Sequence, residues 1–153
     1  MAGHPQLHLD AQLCFPLYAA TRAVTRAYGP LLRDHGLTYP QYLTLLALWD
    51  GGDPMSVGDL GSRLRLDSGT LTPLLKRLEQ AGFVARRRDP DDERRVLIAV
   101  TAAGWELRDQ VSDVPSRLVE SLGLNATESR QLRRLLDSLL DRLDAELTET
   151  TAH

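Results

Sequence analysis

The side chain with the widest chemical reach in this sequence is Cys14, its single cysteine. As a thiolate such a residue is a nucleophile and a redox centre; as a thiol it packs as a small hydrophobe, and residue type alone leaves both roles open. With no second cysteine, an internal disulfide framework and a multi-cysteine zinc site are excluded. The four histidines, His4, His8, His35 and His153, form no HExxH or other ligand pair on a helix face. Neither a metal nor any other cofactor is therefore expected.

A second constellation lies between Leu66 and Thr101, LDSGTLTPLLKRLEQAGFVARRRDPDDERRVLIAVT. Its first part reads as a helix whose polar face carries Ser68, Gly69, Thr70 and Thr72 at one end and Lys76 and Arg77 further along. Short hydroxyl groups suit base edges, and positive charge suits phosphates. The second part reads as two strands around DPDDER, a wing in which Arg86 and Arg88 are candidate phosphate contacts and Arg94, at the edge of the turn, is the candidate to enter a minor groove. In isolation DPDDERR is a solvated turn with internal Asp–Arg pairs. Directly after a helix-turn-helix, the groove contact becomes the better reading. Formal net charge is −3, but residues 63–95 hold nine basic and six acidic side chains, which leaves a local field able to attract phosphates.

These groups need elements to position them. From about Gln12 to Asp34, Leu13, Leu17, Ala20, Val24, Ala27, Tyr28 and Leu31 recur at helical spacing, closed by His35-Gly36. Pro16 requires that the regular helix begin there or kink there, and either option puts Cys14 at an irregular or terminal backbone position. Thr38 with Gln41 predicts a capping box, followed by Tyr42, Leu45, Leu46 and Trp49 and a stop at Gly51-Gly52-Asp53-Pro54. Ser56 caps a short support helix burying Val57, Leu60 and Leu64, with Asp59 in its first turn.

The next helix starts near Asp67 or Ser68, buries Leu71, Leu74, Leu75 and Leu78, and stops at Gly82. Pro73 is acceptable there as a residue of the first turns, where its missing N–H has no partner to lose. Strands are expected at Phe83 to Arg88 and Arg95 to Val100. Thr101 caps a long helix bent or broken at Pro115, and Asn125 with Glu128 caps a last one. That last helix carries Leu132, Leu135, Leu136, Leu139, Leu140, Leu143 and Leu147, a stripe wider than a monomer's short helix needs, which points to a homodimer.

The fold expected is mainly α with a small β-hairpin wing, an α+β winged helix-turn-helix whose N- and C-terminal helices form a dimerisation region. At 153 residues, 42% hydrophobic and 25% charged, a single domain over 1–153 suffices, with dimerisation helices at about 10–35 and 102–148 and the winged helix-turn-helix at about 38–101. No run of about 18 apolar residues and no secretory leader pattern is present, so a cytoplasmic protein with no membrane contact is expected.

With these residues named, the chain resembles the multiple antibiotic resistance regulator (MarR) family and, within it, the organic hydroperoxide resistance regulators. The broad family pattern is carried by Asp92-Glu93-Arg94 with Leu97 and Thr101. The narrower branch is carried by QLCFPLY at 12–18, LTYPQYLTLLALW at 37–49, LDSGTLTPLLKRLEQAG at 66–82 and DERRVLIAVT at 92–101. The resemblance implies that Cys14 is the peroxide-reactive residue, hydrogen-bonded as a thiolate by Tyr28 and Tyr39 of the partner subunit, and that Asp92 supports the wing. Tyr18, one turn beyond Cys14, is open to either role, ordering that site or filling the core. Lacking a resolving cysteine, the chain belongs with the one-cysteine type, whose sulfenate is trapped by a small cellular thiol as a mixed disulfide or goes on to sulfinate and sulfonate.

Three readings follow. The leading one is a dimeric repressor that binds an inverted-repeat operator in double-stranded DNA when reduced and leaves it when an organic hydroperoxide oxidises Cys14. The second keeps the reader but makes the inducer a reversible small aromatic ligand, with Cys14 merely packed. The third, a one-cysteine thiol peroxidase, is poor, because alternating strands and helices around a parallel sheet are missing.

Overall fold

The computed structural model describes residues 4–52 and 54–151. Short 3-10 turns at Pro5–Leu7 and Leu9–Ala11 lead into α1, Cys14–Leu32. The helix begins two residues before Pro16, and Pro16 falls in its first turn, where an amide has no intrahelical acceptor, so no kink is needed. A second proline, Pro30, lies inside the last turns of α1, after which a 3-10 turn at Arg33–His35 ends on left-handed Gly36.

α2, Tyr39–Gly51, opens on the expected capping box: the Gln41 amide donates to Thr38 Oγ1, and the Thr38 amide donates to Gln41 Oε1. It closes at Gly51 and Gly52; Asp53, assigned to the same turn, lies outside the described residues. A two-residue strand, β1 (Met55–Ser56), follows, and Ser56 then caps α3, Val57–Leu64. Arg65 ends α3 in the left-handed region and turns the chain into α4, Ser68–Gln80, capped by Asp67, whose carboxylate accepts from the Thr70 amide at 2.8 Å.

Pro73 is the sixth residue of α4, not part of its first turn. Its ring therefore removes a bond that the Gly69 carbonyl would have accepted, a cost tolerated because both residues face solvent. At the far end Gly82, at φ +82°, and Phe83 close the helix by donating to the carbonyls of Glu79 and Leu78, which satisfies two of its last acceptors.

β2 (Val84–Arg88) and β3 (Val96–Val100) form the wing, in register from Val84 opposite Val100 to Arg88 opposite Val96. β1 adds to the other edge of β3, Met55 opposite Ile98 and Ser56 opposite Leu97, giving an antiparallel sheet ordered β1-β3-β2 where a simple hairpin was expected. Thr101 caps α5, Ala102–Gln110, and α6 is Val114–Leu122. The break expected at Pro115 lies just ahead of it, at residues 111–113, and Pro115 sits in the first turn of α6, where proline is at home. α7, Ala126–Thr151, is capped by Asn125 and Glu128.

Two compact units divide the chain, one up to Leu118 and one from Val119. The core of the first is built from Leu32, Tyr42, Leu45, Leu48, Leu60, Leu71, Leu75, Leu78, Ile98, Val111 and Val114, all essentially inaccessible. These come from α1, α2, α3, α4, β3 and the start of α6, and Met55 of β1, Val84 of β2 and Leu107 of α5 join them, so α4 is held on a continuous apolar base. Among the described residues no helix is long and apolar enough to cross a membrane.

Candidate sensor thiol and nucleic-acid interface

Cys14 is the first residue of α1 and is exposed. A helix start leaves backbone N–H groups unpaired and directs the positive end of the helix dipole outward, the setting in which an anionic sulfur is stabilised. Leu13, Phe15, Leu17 and Tyr18 around it are also exposed, so this end of the helix is apolar and uncovered in the single chain. Tyr18 is not core: it is 60% exposed, its hydroxyl accepts from the Arg22 guanidinium at 2.9 Å, and the same guanidinium lies 5.6 Å from its ring centre.

Tyr28 and Tyr39, named together on the sequence, do come together. Their rings stack at 3.9 Å with 12° between planes, and Tyr42 tilts against Tyr28 at 5.8 Å. Burial, first, and then Tyr39 beside it push the Tyr28 phenol well above the usual tyrosine range, so Tyr28 remains an O–H donor at any physiological pH. Tyr42 is shifted in the same direction, again mainly by desolvation. Cys14 and Tyr28 occupy one helix fourteen positions apart, a separation of about 21 Å at 1.5 Å per residue. Within one chain they cannot touch.

α4 presents Ser68, Thr70, Thr72, Lys76 and Arg77, all exposed, while Leu71, Leu75 and Leu78 point inward. The cap also fixes the face, since Thr70 Oγ1 lies 3.2 Å from the Asp67 carboxylate. That carboxyl is held below the usual carboxylate range, chiefly by the Thr70 amide.

Between α4, the start of α3 and the wing lies a groove of about 410 Å³ whose walls include Val57, Gly58, Thr72, Arg86, Arg94 and Arg95. Arg94 has its side chain 95% exposed, with only a loose pair to Asp92 at 3.7 Å. Asp92 Oδ1 accepts from the Arg94 amide at 3.1 Å, and its carbonyl accepts from the Arg95 amide at 2.8 Å, which folds the turn. The wing arginines are unequal. Arg86 is bound to Glu79 by its Nε at 2.8 Å and its amide at 3.3 Å, and it holds that carboxyl below its ordinary range. Arg88 donates to the Glu93 carbonyl at 3.0 Å.

Arg95 and Asp89, legible in the sequence only as members of a turn with internal Asp–Arg pairs, form one of those pairs. The Asp89 side chain is only 12% exposed; it accepts from the Asp91 amide at 2.9 Å and faces Arg95 at 3.8 Å, and Arg95 also reaches Asp59 of α3 at 3.3 Å. The signal available was positional. Asp89 and Arg95 directly follow and precede the last paired residues of the hairpin, Arg88 and Val96.

Comparison with known proteins agrees with this geometry. Residues 37–96, from the start of α2 to the return strand of the wing, match the MarR family. The chain is 44% identical over 137 residues to the organic hydroperoxide resistance transcriptional regulator of Bacillus subtilis (strain 168), covering 90% of this chain and 92% of that one. It is 50% identical over 142 residues to the HTH-type transcriptional regulator TtmR of Methylorubrum extorquens (strain PA1), covering 93% of this chain and 72% of the relative. Among solved structures, reduced AbfR bound to DNA, a Staphylococcus epidermidis protein, superposes with a TM-score of 0.74 at 37% identity, covering 90% of this chain and 96% of that one. With the reader matched in sequence and the flanking helices matched in these relatives and in the fold, the chain belongs to the MarR family.

Proposed function

We propose that this chain is a redox-sensing transcriptional repressor, a cytoplasmic homodimer that holds an inverted-repeat operator while Cys14 is reduced and releases it when an organic hydroperoxide oxidises that thiol. It is a regulator and not an enzyme, in keeping with the names of its relatives. The observation that carries the reading is the separation of Cys14 from the stacked pair of Tyr28 and Tyr39 on the same chain. Two such helices running antiparallel in a dimer bring each thiol to the other chain's phenols. The name of the Bacillus relative supports the inducer, and the DNA-bound reduced AbfR supports a reduced, bound state.

In this reading the Cys14 thiolate attacks one peroxide oxygen and the O–O bond breaks. The alkoxide leaves and takes up a proton, and Cys14 becomes a sulfenic acid. A small cellular thiol then condenses with it, releasing water and leaving a mixed disulfide. Either product is larger than the thiolate and cannot keep both phenol hydrogen bonds, so the two chains shift and the readers leave their spacing. Ser68, Thr70 and Thr72 meet base edges, Lys76, Arg77 and Arg88 meet phosphates, and Arg94 enters the minor groove with Asp92 shaping its turn. Arg86, already bound to Glu79, positions the wing against α4 more than it contacts phosphate.

The test is an operator-shift assay on reduced, hydroperoxide-treated and re-reduced protein, with the mass of the Cys14 peptide measured in each state. Cys14→Ser should bind DNA and stay bound after treatment; release of that variant sinks the sensing step. One observation favours a second reading, release by an aromatic ligand. A cavity of about 350 Å³ is lined by Tyr42, Leu46, Trp49 and Arg108, and the buried Trp49 Nε1 has no hydrogen-bond partner there. Anaerobic dissociation by such a ligand with no change in thiol content would select it.

A further inference from the structure

The wing contains a side chain whose chemistry the groove contact does not use. We infer that Arg95 is the positioning residue that sets where Arg94 stands, by clamping the wing tip to the first turn of the support helix; this rests on the DNA-binding reading above.

The sheet alone leaves the tip unsecured. β1 pairs with only Leu97 and Ile98, and the last pair of the β2–β3 ladder is Arg88 with Val96. Beyond that pair the turn is held within itself, by the Asp89 amide donating to the Arg95 carbonyl at 3.0 Å and the Arg95 amide donating to the Asp92 carbonyl at 2.8 Å. Those bonds fix the shape of the turn and not its angle to the reader. The Arg86–Glu79 pair ties the lower part of β2 to α4, but a hairpin tip extending beyond that tie swings easily.

Arg95 supplies the missing tie. Its guanidinium spans from Asp89 of the turn, at 3.8 Å and 6 positions away in sequence, to Asp59 of α3, at 3.3 Å and 36 positions away. Both carboxylates are themselves fixed. Asp59 accepts from the Ser56 hydroxyl at 2.6 Å at the helix cap, and Asp89 is nearly enclosed and accepts from the Asp91 amide. A planar guanidinium with separate N–H groups bridges two carboxylates in a fixed orientation, which an ammonium on a flexible stem does not. Arg94, the preceding residue in the chain, has no such tie and projects into solvent. Anchoring one arginine aims its neighbour.

The experiment is a double-mutant cycle on the full-length chain, with a duplex enriched by the wild-type chain from a random-sequence pool as the probe, at matched salt. Arg95→Ala should weaken binding about tenfold, the scale of losing one groove contact. In an Arg94→Ala background it should cost less than about twofold, the scatter of independent sites. Arg95→Ala should also flatten the base preference where the wing lands and leave the α4 positions unchanged. Arg95→Lys should restore little. Asp59→Asn, which keeps the Ser56 cap, repeats the cycle if Arg95→Ala does not fold. Equal losses in both backgrounds, as a general folding defect gives, or no loss in either, overturn the inference while the DNA reading stands. A wild-type chain that enriches no sequence overturns both.

Discussion

Tyr28 illustrates how much one side chain's surroundings decide. Its ring is half-buried between Tyr39 and Tyr42, and ionisation there would place an anion where water is scarce. In the unfolded chain the phenol ionises near 10.0; in the folded chain it does so well above that. Between those values the unfolded state has lost a proton that the folded state retains, so stability is undiminished below about pH 10 and falls as pH rises beyond it. Tyr42, packed against the same ring, is shifted in the same direction and adds to the effect. Denaturant unfolding at a series of alkaline pH values should show the fall, and Tyr28→Phe should flatten it. An unchanged slope would mean that Tyr28 titrates as it does in water. On the acid side the sign reverses: the carboxyls of Asp67 and Glu79 sit below their ordinary values, so what they contribute is present above the unfolded carboxylate range and lost as pH falls through the folded one.

At the scale of elements, the joint between wing and α5 is tighter than any composition suggests. Thr101 donates its hydroxyl to the Gly82 carbonyl at 2.6 Å, accepts from the Gly104 amide at 3.1 Å, and bonds its own amide to the Phe83 carbonyl. A methyl group at Gly104 would stand 2.2 Å from that Phe83 carbonyl oxygen and 2.7 Å from Val100 Cγ1. Backbone cannot retreat cheaply, so Gly104→Ala should destabilise the fold by about 1–3 kcal/mol despite alanine's better helix propensity, as chemical denaturation would read it. A neutral or stabilising result would show that α5 shifts freely against the sheet. Thr101, as a cap before a helix, was legible in the sequence, as were Thr38 with Gln41, Ser56 and Asn125 with Glu128, because caps are local chemistry, while the start of α4 was legible only as Asp67 or Ser68. Gly104 was not, since its constraint comes chiefly from the Phe83 carbonyl just ahead of β2, which the wing brings back beside it. β1 was equally unreadable: two residues carry no alternation, and only pairing with Ile98 and Leu97 makes them a strand. At the candidate site, residue type and position singled out Cys14 and Arg94, and Tyr28 and Tyr39 came only from the family resemblance, while the Asp59–Arg95–Asp89 tie required knowing which helix stands beside the wing.

For the whole molecule the open question is what covers its apolar faces. On α7, Leu132, Leu135, Leu139, Leu140 and Leu143 recur at spacings of three and four and are 38–70% exposed in the single chain; Leu147 continues the series, its side chain outside the described residues. A soluble helix gains nothing from holding such a stripe in water, and each leucine moved to an apolar contact is worth on the order of 1 kcal/mol or more. In the proposed repressor an inverted repeat needs two copies of the reader, about 34 Å apart, and the stripe is the face on which a second copy would be laid. Leu139→Glu places a carboxylate in the middle of that seam, so it should shift the protein to monomers in sedimentation while far-UV circular dichroism stays helical. Because each reader alone contacts one half-site, operator affinity should drop about 10²-fold or more with the loss of joint binding. Raising protein concentration should recover both the dimer and the affinity together. A variant that stays monomeric yet keeps wild-type affinity would place specificity in a single reader, and a variant that stays dimeric would move the interface off α7.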